Sequence, residues 1–275
     1  MDENKNGKSV LITGVAGGMG LAAAKRLAGK GFTVYGLDRK APEPVEGLRF
    51  LQTDLTDPEA VRQAAARLQD EGVRLCGVLH MAGLYALESL VEIEEAEFER
   101  IFQVNLFAVY RVNKAFLPLL EPGARVIVTT SELAPLDPLP FTGLYAVTKT
   151  ALDQYASSLR MELQLLGIRV IVLRPGAVDT QLLEVSTRRL DAFCEKTRYY
   201  APNAARFRRI VGRVEARKIP PERVAALAEK ALCGKRPKDV YTVNRNPLLL
   251  LLNVLPNRLQ RGIIRAILKK PSTGD

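Results

Sequence analysis

The amino-acid sequence predicts an α/β fold: a doubly wound parallel sheet with helices on both faces, followed by a C-terminal amphipathic helical tail. Three observations carry this expectation. Short β-branched runs alternate with longer segments of helical periodicity, the first run leads into a glycine-rich turn, and neither a repeat nor a linker divides the 275 residues. Buried strands separated by helices need right-handed crossovers, and these cover one parallel sheet on both faces. With 47% apolar residues the chain can bury a sizeable core, so one domain over residues 1–275 is expected.

Residues 9–13 (Ser-Val-Leu-Ile-Thr) form the first expected strand, and residues 32–37, 75–79, 125–129 and 168–173 give four more of the same character. Between them, apolar residues at helical spacing predict helices over 21–30, 58–70, 94–120 and 144–166. Asp57-Pro58 reads as an N-cap followed by proline at the first helical position. After Arg174-Pro-Gly176 the pattern changes. An arginine-rich lid is expected over about 188–220, then a helix over 221–232, a strand at 240–243, and a leucine-rich basic tail over 245–275.

Composition excludes several classes. The apolar run 247–252 falls well short of the roughly 18 residues that span a bilayer, and residues 1–8 are polar with no signal segment behind them, so a cytoplasmic protein is expected. Cys76, Cys194 and Cys233 lack C-x-x-C spacing and His80 is the sole histidine, so no metal site is expected. The net charge of +10 is uneven: residues 1–187 carry 19 basic and 23 acidic side chains, residues 188–275 carry 21 and 7. The last third therefore meets something anionic or keeps the protein soluble.

The first strand runs into Thr13-Gly-Val-Ala-Gly-Gly-Met-Gly20 and then into a helical pattern, the context a phosphate-binding loop requires. Thr13, Gly14, Gly18, Met19 and Gly20 are thus candidates for cofactor contact, with a helix N-terminus favouring the pyrophosphate. A tight structural turn would be glycine-rich as well. Asp38 ends the second strand, 18 residues after Gly20, where a carboxylate can accept hydrogen bonds from adenosine ribose hydroxyls and repel a 2′-phosphate. NAD is the expected cofactor, although Arg39 follows directly and could pair with a phosphate.

Tyr145 and Lys149 stand four apart in a helical pattern, so both side chains leave one face. A phenol is a poor base near neutrality, and an adjacent ammonium together with a cationic nicotinamide would lower its pKa. Ser131 can orient a substrate oxygen, and Asn105 could hold a water that relays protons to Lys149. Each residue also has a plain structural reading: a chance spacing, a cap, a buried amide satisfying the backbone.

Taken in order, the loop 13–20, Asp38, Asp54-Leu55, Ala82-Gly83, Asn105, Ser131, Tyr145, Lys149 and Pro175-Gly176-Ala-Val-Asp-Thr180 resemble the short-chain dehydrogenase/reductase family over about residues 9–243. The resemblance implies a single Rossmann-like domain and hydride transfer at nicotinamide C4, with Tyr145 as proton donor or acceptor. It implies that Asp54, beside Leu55, reaches the adenine amino group and that Ala82 and Gly83 lie along the adenosine side. It also implies that Val178 and Thr180, after Pro175 and Gly176, contact the nicotinamide carboxamide. Three departures stand out: His80-Met81 replaces the family's usual Asn-Asn, Met19 replaces a common isoleucine, and Ser131 precedes Tyr145 by 14 residues where one or two fewer is usual. The loop also satisfies T-G-x-x-G-x-x-G, a spacing of nucleotide-sugar epimerases, but the 101 residues after Arg174 leave little room for their sugar-nucleotide domain.

Residues 188–218 hold ten basic and three acidic side chains interleaved with Phe193, Tyr199, Tyr200, Phe207, Ile210 and Val211. An apolar pocket roofed by cations would suit a small hydrophobic, anionic substrate such as a bile acid or hydroxysteroid conjugate. A solvated lid is the alternative. No nucleic-acid-binding signature accompanies the charges. In the tail, Leu259, Ile263, Ile264 and Ile267 oppose Arg258, Arg261, Arg265 and Lys269, an amphipathic basic helix that could touch a membrane peripherally, pack on a second subunit or cover the substrate entrance. The resemblance implies a homodimer or homotetramer. The expected activity is NAD-dependent interconversion of a hydrophobic secondary alcohol and its ketone; the rival is an NAD-binding regulator or scaffold without turnover.

Overall fold

The computed structural model describes residues 8–215 and 217–269. Within them, β1 (Ser9–Thr13), β2 (Thr33–Asp38), β3 (Leu48–Gln52), β4 (Leu75–His80), β5 (Leu120–Thr129), β6 (Arg169–Pro175) and β7 (Val240–Val243) form one sheet in the order β3-β2-β1-β4-β5-β6-β7. Every pairing is parallel. Alternation along each strand divides the core in two. Val10 and Ile12 face one layer and Leu11 the other; Ile127 and Ile171 join the first layer, Val126, Val128, Val170 and Val172 the second.

Helices α1 (Gly18–Ala28) and, late in the chain, α8 (Pro221–Cys233) close the first layer through Ala23, Leu27, Ala228 and Ala231. The second layer is closed by α2 (Pro58–Asp70), α4 (Ala108–Phe116) and α5 (Gly143–Leu163) through Val61, Leu68, Val112, Phe116 and Leu152. Asp57 caps α2 as expected, its carboxylate accepting the Glu59 N–H at 2.8 Å.

The sheet order reverses between β1 and β4, and in open α/β sheets the crevice at such a reversal is where ligands bind. Beyond β6, α6 (Gln181–Lys196) and α7 (Ala201–Glu215) rise over that end of the sheet. Leu190, Phe193, Ala204, Phe207 and Val211 make a third apolar cluster there with Leu87 and Leu268. The tail forms two helices, α9 (Pro247–Val254) and α10 (Asn257–Lys269), separated by Pro256. Residues 270–275 of the expected tail lie outside the described residues.

Two elements differ from expectation. No strand is expected at β3, an edge strand in which only Leu51 is buried, so that it lacks the continuous apolar run of the central strands. The single helix expected over 94–120 is broken into α3 (Glu95–Phe102), a π-helical turn at Gln103–Phe107, α4, and a 3-10 turn at Leu117–Leu119. Asn105 sits in the π-helical turn, fully buried, and π-turns of this kind concentrate at functional sites.

Candidate active site

The glycine loop is built from close approaches. Gly14, at φ +76°, donates its N–H to the Leu37 carbonyl at 2.8 Å, and a Cβ there would lie 2.7 Å from the Ala82 nitrogen. A Cβ on Gly20 would lie 2.1 Å from the Gly14 oxygen, and one on Gly18 would lie 2.8 Å from Thr180 Cγ2. Thr180 thus faces the loop across the crevice. Thr13 supports it from beneath, its buried hydroxyl accepting the N–H groups of Met81 and Ala82 at 3.2 and 3.3 Å. The Asp38 carboxylate accepts the N–H of Ala16 at 3.1 Å and of Lys40 at 3.2 Å, which fixes it at the end of β2.

A cleft of about 770 Å³ separates Gly14, Gly17 and Gly18 from Asp38, Arg39, Asp54 and Leu55. A second, of about 1190 Å³ and open to solvent, extends past Ser131, Tyr145 and Lys149 to the end of β6 at Pro175, Gly176 and Val178. Both are lined by Met19, Ala82, Gly83 and Thr180, so they form one continuous groove. Asp54 keeps its place there by accepting the Thr56 N–H at 2.8 Å and hydroxyl at 2.6 Å.

Tyr145 and Lys149 project from one face of α5, as their spacing predicts. The lysine Nζ lies 5.8 Å from the tyrosine ring centroid and donates to the Thr129 carbonyl at 3.0 Å. Burial holds the Lys149 ammonium down at about pKa 8. Burial also pushes Tyr145 up to about 12; the nearby Glu132 charge adds to this, while a hydrogen bond with Ser131 works against it. The expected lowering rests on a cationic nicotinamide as well as on the ammonium. Among the protein's own groups desolvation governs, and the phenol is protonated near neutral pH. Tyr85 packs edge-on against Tyr145, with centroids 4.5 Å apart.

Asn105 is brought near these groups but does not line either cleft. Its Oδ1 accepts the Leu84 N–H at 2.7 Å, while Nδ2 donates to the Leu84 carbonyl at 2.9 Å and to Thr148 Oγ1 at 3.0 Å. The amide clamps Leu84, beyond the end of β4, to α5, and the π-helical turn brings it there. Gly83 lies between Lys149 and Asn105: a Cβ there would stand 3.4 Å from Lys149 Nζ and 3.5 Å from Asn105 Oδ1, ordinary contact distances.

The unusual His80-Met81 pair makes buried polar contacts. His80 Nε2 meets Asn113 Oδ1 at 2.8 Å, Asn113 donates to the Tyr155 hydroxyl at 3.2 Å, and Met81 Sδ accepts from Thr129 Oγ1 at 3.1 Å. Burial lowers the His80 pKa to about 4, so the ring is neutral near pH 7. Below the site, Arg174 makes a two-pronged pair with Asp153 at 2.9 and 2.6 Å, and Thr130 donates to the same carboxylate at 3.1 Å, tying β5, β6 and α5 together.

Sequence reasoning missed Glu132, which lines the larger cavity next to Ser131. Burial pushes its carboxyl above the usual range, opposed by the Asn246 N–H, donated to Oε2 at 2.6 Å, and by the Arg245 charge. A charged residue directly after the candidate serine, at the end of an apolar strand, was the available signal. The cations expected to roof the pocket lie elsewhere. Among the described residues of the segment 188–218, Phe207, Ile210 and Val211 line the cavity and no basic residue does. Arg189 pairs with Glu97, Arg208 with Asp191, Lys218 with Asp179 at 2.7 Å, and Arg206 donates to the Leu268 carbonyl at 2.9 Å. The helical period turns the apolar side inward and the guanidinium groups toward carboxylates and carbonyls around the rim.

The family model for short chain dehydrogenases matches residues 8–191. The chain belongs to the short-chain dehydrogenase family. It is an oxidoreductase acting on CH–OH groups with a nicotinamide cofactor. It is 35% identical over 189 residues to estradiol 17-beta-dehydrogenase 2 of Mus musculus, a match covering 64% of this chain but only 49% of that protein. Over 272 residues it is 32% identical to the uncharacterized oxidoreductase YbbO of Escherichia coli strain K12, covering 94% of each chain. The dehydrogenase thus spans about half the length of the mouse relative and nearly all of the bacterial one. A short chain dehydrogenase from Burkholderia cenocepacia J2315, solved in complex with NADP, shares the fold at TM-score 0.71 and 22% identity, covering 96% of this chain and 98% of that one.

Proposed function

We propose that this dehydrogenase interconverts a lipophilic secondary alcohol and its ketone with NAD, with Tyr145 as the proton donor or acceptor. The observation that carries the reading is the position of Tyr145, which with Ser131 lines the wall of an apolar cavity that continues into the glycine-loop groove. The nicotinamide cofactor supplies the hydride or accepts it. Every other task falls to side chains.

The groove fits a dinucleotide because Gly14, Gly17 and Gly18 line it with backbone beside the N-terminus of α1, while the close approach of buried Gly20 to the Gly14 oxygen holds the turn tight. Asp38 would hold the ribose hydroxyls and disfavour a 2′-phosphate, which supports NAD; Arg39, lining the same cleft, is the one group that opposes this. Asp54, Leu55, Ala82 and Gly83 would border the adenosine half, with Pro175, Gly176, Val178, Thr180 and Met19 at the nicotinamide end. Lys149 would contribute its charge, and Asn105 would hold Leu84 in place.

A phenol held protonated is suited to giving its proton to a carbonyl oxygen as that carbon is reduced, and Ser131 can donate to the same oxygen. Leu84, Leu133, Leu139, Leu183, Phe207, Ile210, Val211 and Leu249 give the cavity an apolar wall, supporting a lipid-like or steroid-like substrate, as does the likeness to an estradiol dehydrogenase. Glu132 on that wall, with the lid cations turned away, favours a substrate that is uncharged where it enters. Absorbance of NADH should be followed with paired neutral and acidic hydroxysteroids, retinoids and simple secondary alcohols. The reading requires turnover of a neutral lipophilic compound with NAD in preference to NADP. Turnover confined to small polar alcohols, or to NADP, would overturn it.

A further inference from the structure

Helix α9 has an unusual environment for five consecutive leucines: none of its residues is buried. One side contributes Leu249 to the wall of the larger cavity. The other presents Leu248, Leu251 and Val254 to solvent at 68, 65 and 81% exposure. The helix is nevertheless pinned. The Asn246 N–H donates to Glu132, the Asn246 side chain accepts the Leu248 N–H at 3.0 Å, and Asn253 Oδ1 accepts the Asp137 N–H at 2.7 Å.

Helix α10 follows after Pro256. Gln260 and Leu268 are buried, and Gln260 donates to Asp137 at 3.1 Å and to the Leu255 carbonyl at 2.9 Å. On one flank of that seam Arg258, Arg261, Arg265 and Lys269 are exposed, and among the described residues none of the four is in an ion pair. On the other flank Leu259 and Ile267 are exposed. Residues 240–269 contain five cations and no acid.

We propose that α9 and α10 seat the protein on an anionic lipid surface, with Leu248, Leu251 and Val254 entering the acyl boundary and the α10 cations meeting the headgroups. Apolar side chains fixed outward beside unpaired cations are the two attractions that hold an interfacial helix. Neither helix is long and apolar enough to cross a membrane. A symmetric contact with a second copy through α10 would set the cations of this acid-free segment against their own copies, like charge on like charge. Entry of substrate from the lipid, past Leu249 into the cavity, rests on the activity proposed above; the docking does not.

The test is co-sedimentation of the full chain with vesicles of phosphatidylcholine alone and of phosphatidylcholine mixed with phosphatidylserine. Binding is expected to the mixed vesicles, to weaken in high salt, and to fall at least about tenfold on joint reversal of Arg261→Glu and Arg265→Glu. Leu251→Asp should reduce it similarly, whereas Met161→Asp, an exposed apolar position on α5, should leave it unchanged. Thermal melts of the variants verify that each is folded. Absence of binding to mixed vesicles, or equal and salt-insensitive binding to both, would overturn the proposal. So would a dimer that Leu251→Asp dissociates without any vesicle binding, which would assign the face to a second copy. None of these readouts depends on turnover.

Discussion

Lys149 is 5% exposed, and burial holds its pKa at about 8 in place of 10.5. Below pH 8 the side chain is charged in both folded and unfolded chains, and the folded state carries the full cost of burying it. That cost is about 3 kcal/mol, at roughly 1.4 kcal/mol for each tenfold shift in proton affinity. Lys149→Met removes the charge and keeps most of the volume, but leaves the Thr129 carbonyl without its 3.0 Å partner, a loss of about 1–3 kcal/mol. The variant should therefore be more stable than the parent near pH 7 by about 1 kcal/mol, worth roughly 2–4 °C in Tm for a chain of this size. Between pH 8 and 10.5 the unfolded chain binds the lysine proton and the folded chain does not, so the parent gains stability as pH rises and the variant's advantage shrinks and reverses. Urea unfolding of both proteins at pH 7 and pH 10 measures this. A variant less stable than the parent by more than about 1 kcal/mol at pH 7, or a difference unchanged at pH 10, would refute the reasoning. Turnover should be lost in either case, a trade of stability for activity common in active sites.

Gly20→Ala places a methyl 2.1 Å from the Gly14 oxygen, so either the loop or α1 must move; NADH binding, read by fluorescence, should weaken by at least about tenfold. Asp38→Ala should weaken NAD binding and narrow the preference over NADP in paired titrations, because a ribose acceptor and a 2′-phosphate repellent are lost together. His80 has its pKa lowered from 6.5 to about 4, so the unfolded chain takes up the proton first and stability is lost as pH falls from about 6.5 toward 4. In His80→Asn the melting temperature should decline less over that interval than in the parent.

The alternation of strand and helix was legible because both faces of β1, β4, β5 and β6 are buried, which forces continuous apolar runs. Edge strand β3 has no such requirement, and Arg49 and Gln52 interrupt the apolar residues of its Leu-Arg-Phe-Leu-Gln. The π-helical turn escaped because Gln103–Phe107 keeps apolar residues at spacing compatible with an ordinary helix; only Asn105, gripping Leu84, marks it. Tyr145, Lys149, Ser131 and the glycine loop converge because their spacing is tied to a strand end or one helix face. The lid was misread by counting charge. Phe207, Ile210 and Val211 stand at i, i+3 and i+4, a stripe that faces inward in the structure and turns Arg206, Arg208 and Arg209 away. The desolvation of Tyr145 could not be read, since it depends on what surrounds the ring and not on its neighbours in sequence.

The most direct test of the central claim is Tyr145→Phe, assayed for NADH-dependent reduction of a lipophilic ketone alongside NADH binding by fluorescence. The substitution removes one oxygen from the cavity wall and leaves the glycine loop and Asp38 in place. Turnover should fall at least about 100-fold while the NADH dissociation constant changes by less than about threefold. Retention of more than about a tenth of the parent's turnover, with binding intact, would contradict the role of Tyr145 as the proton-transferring group.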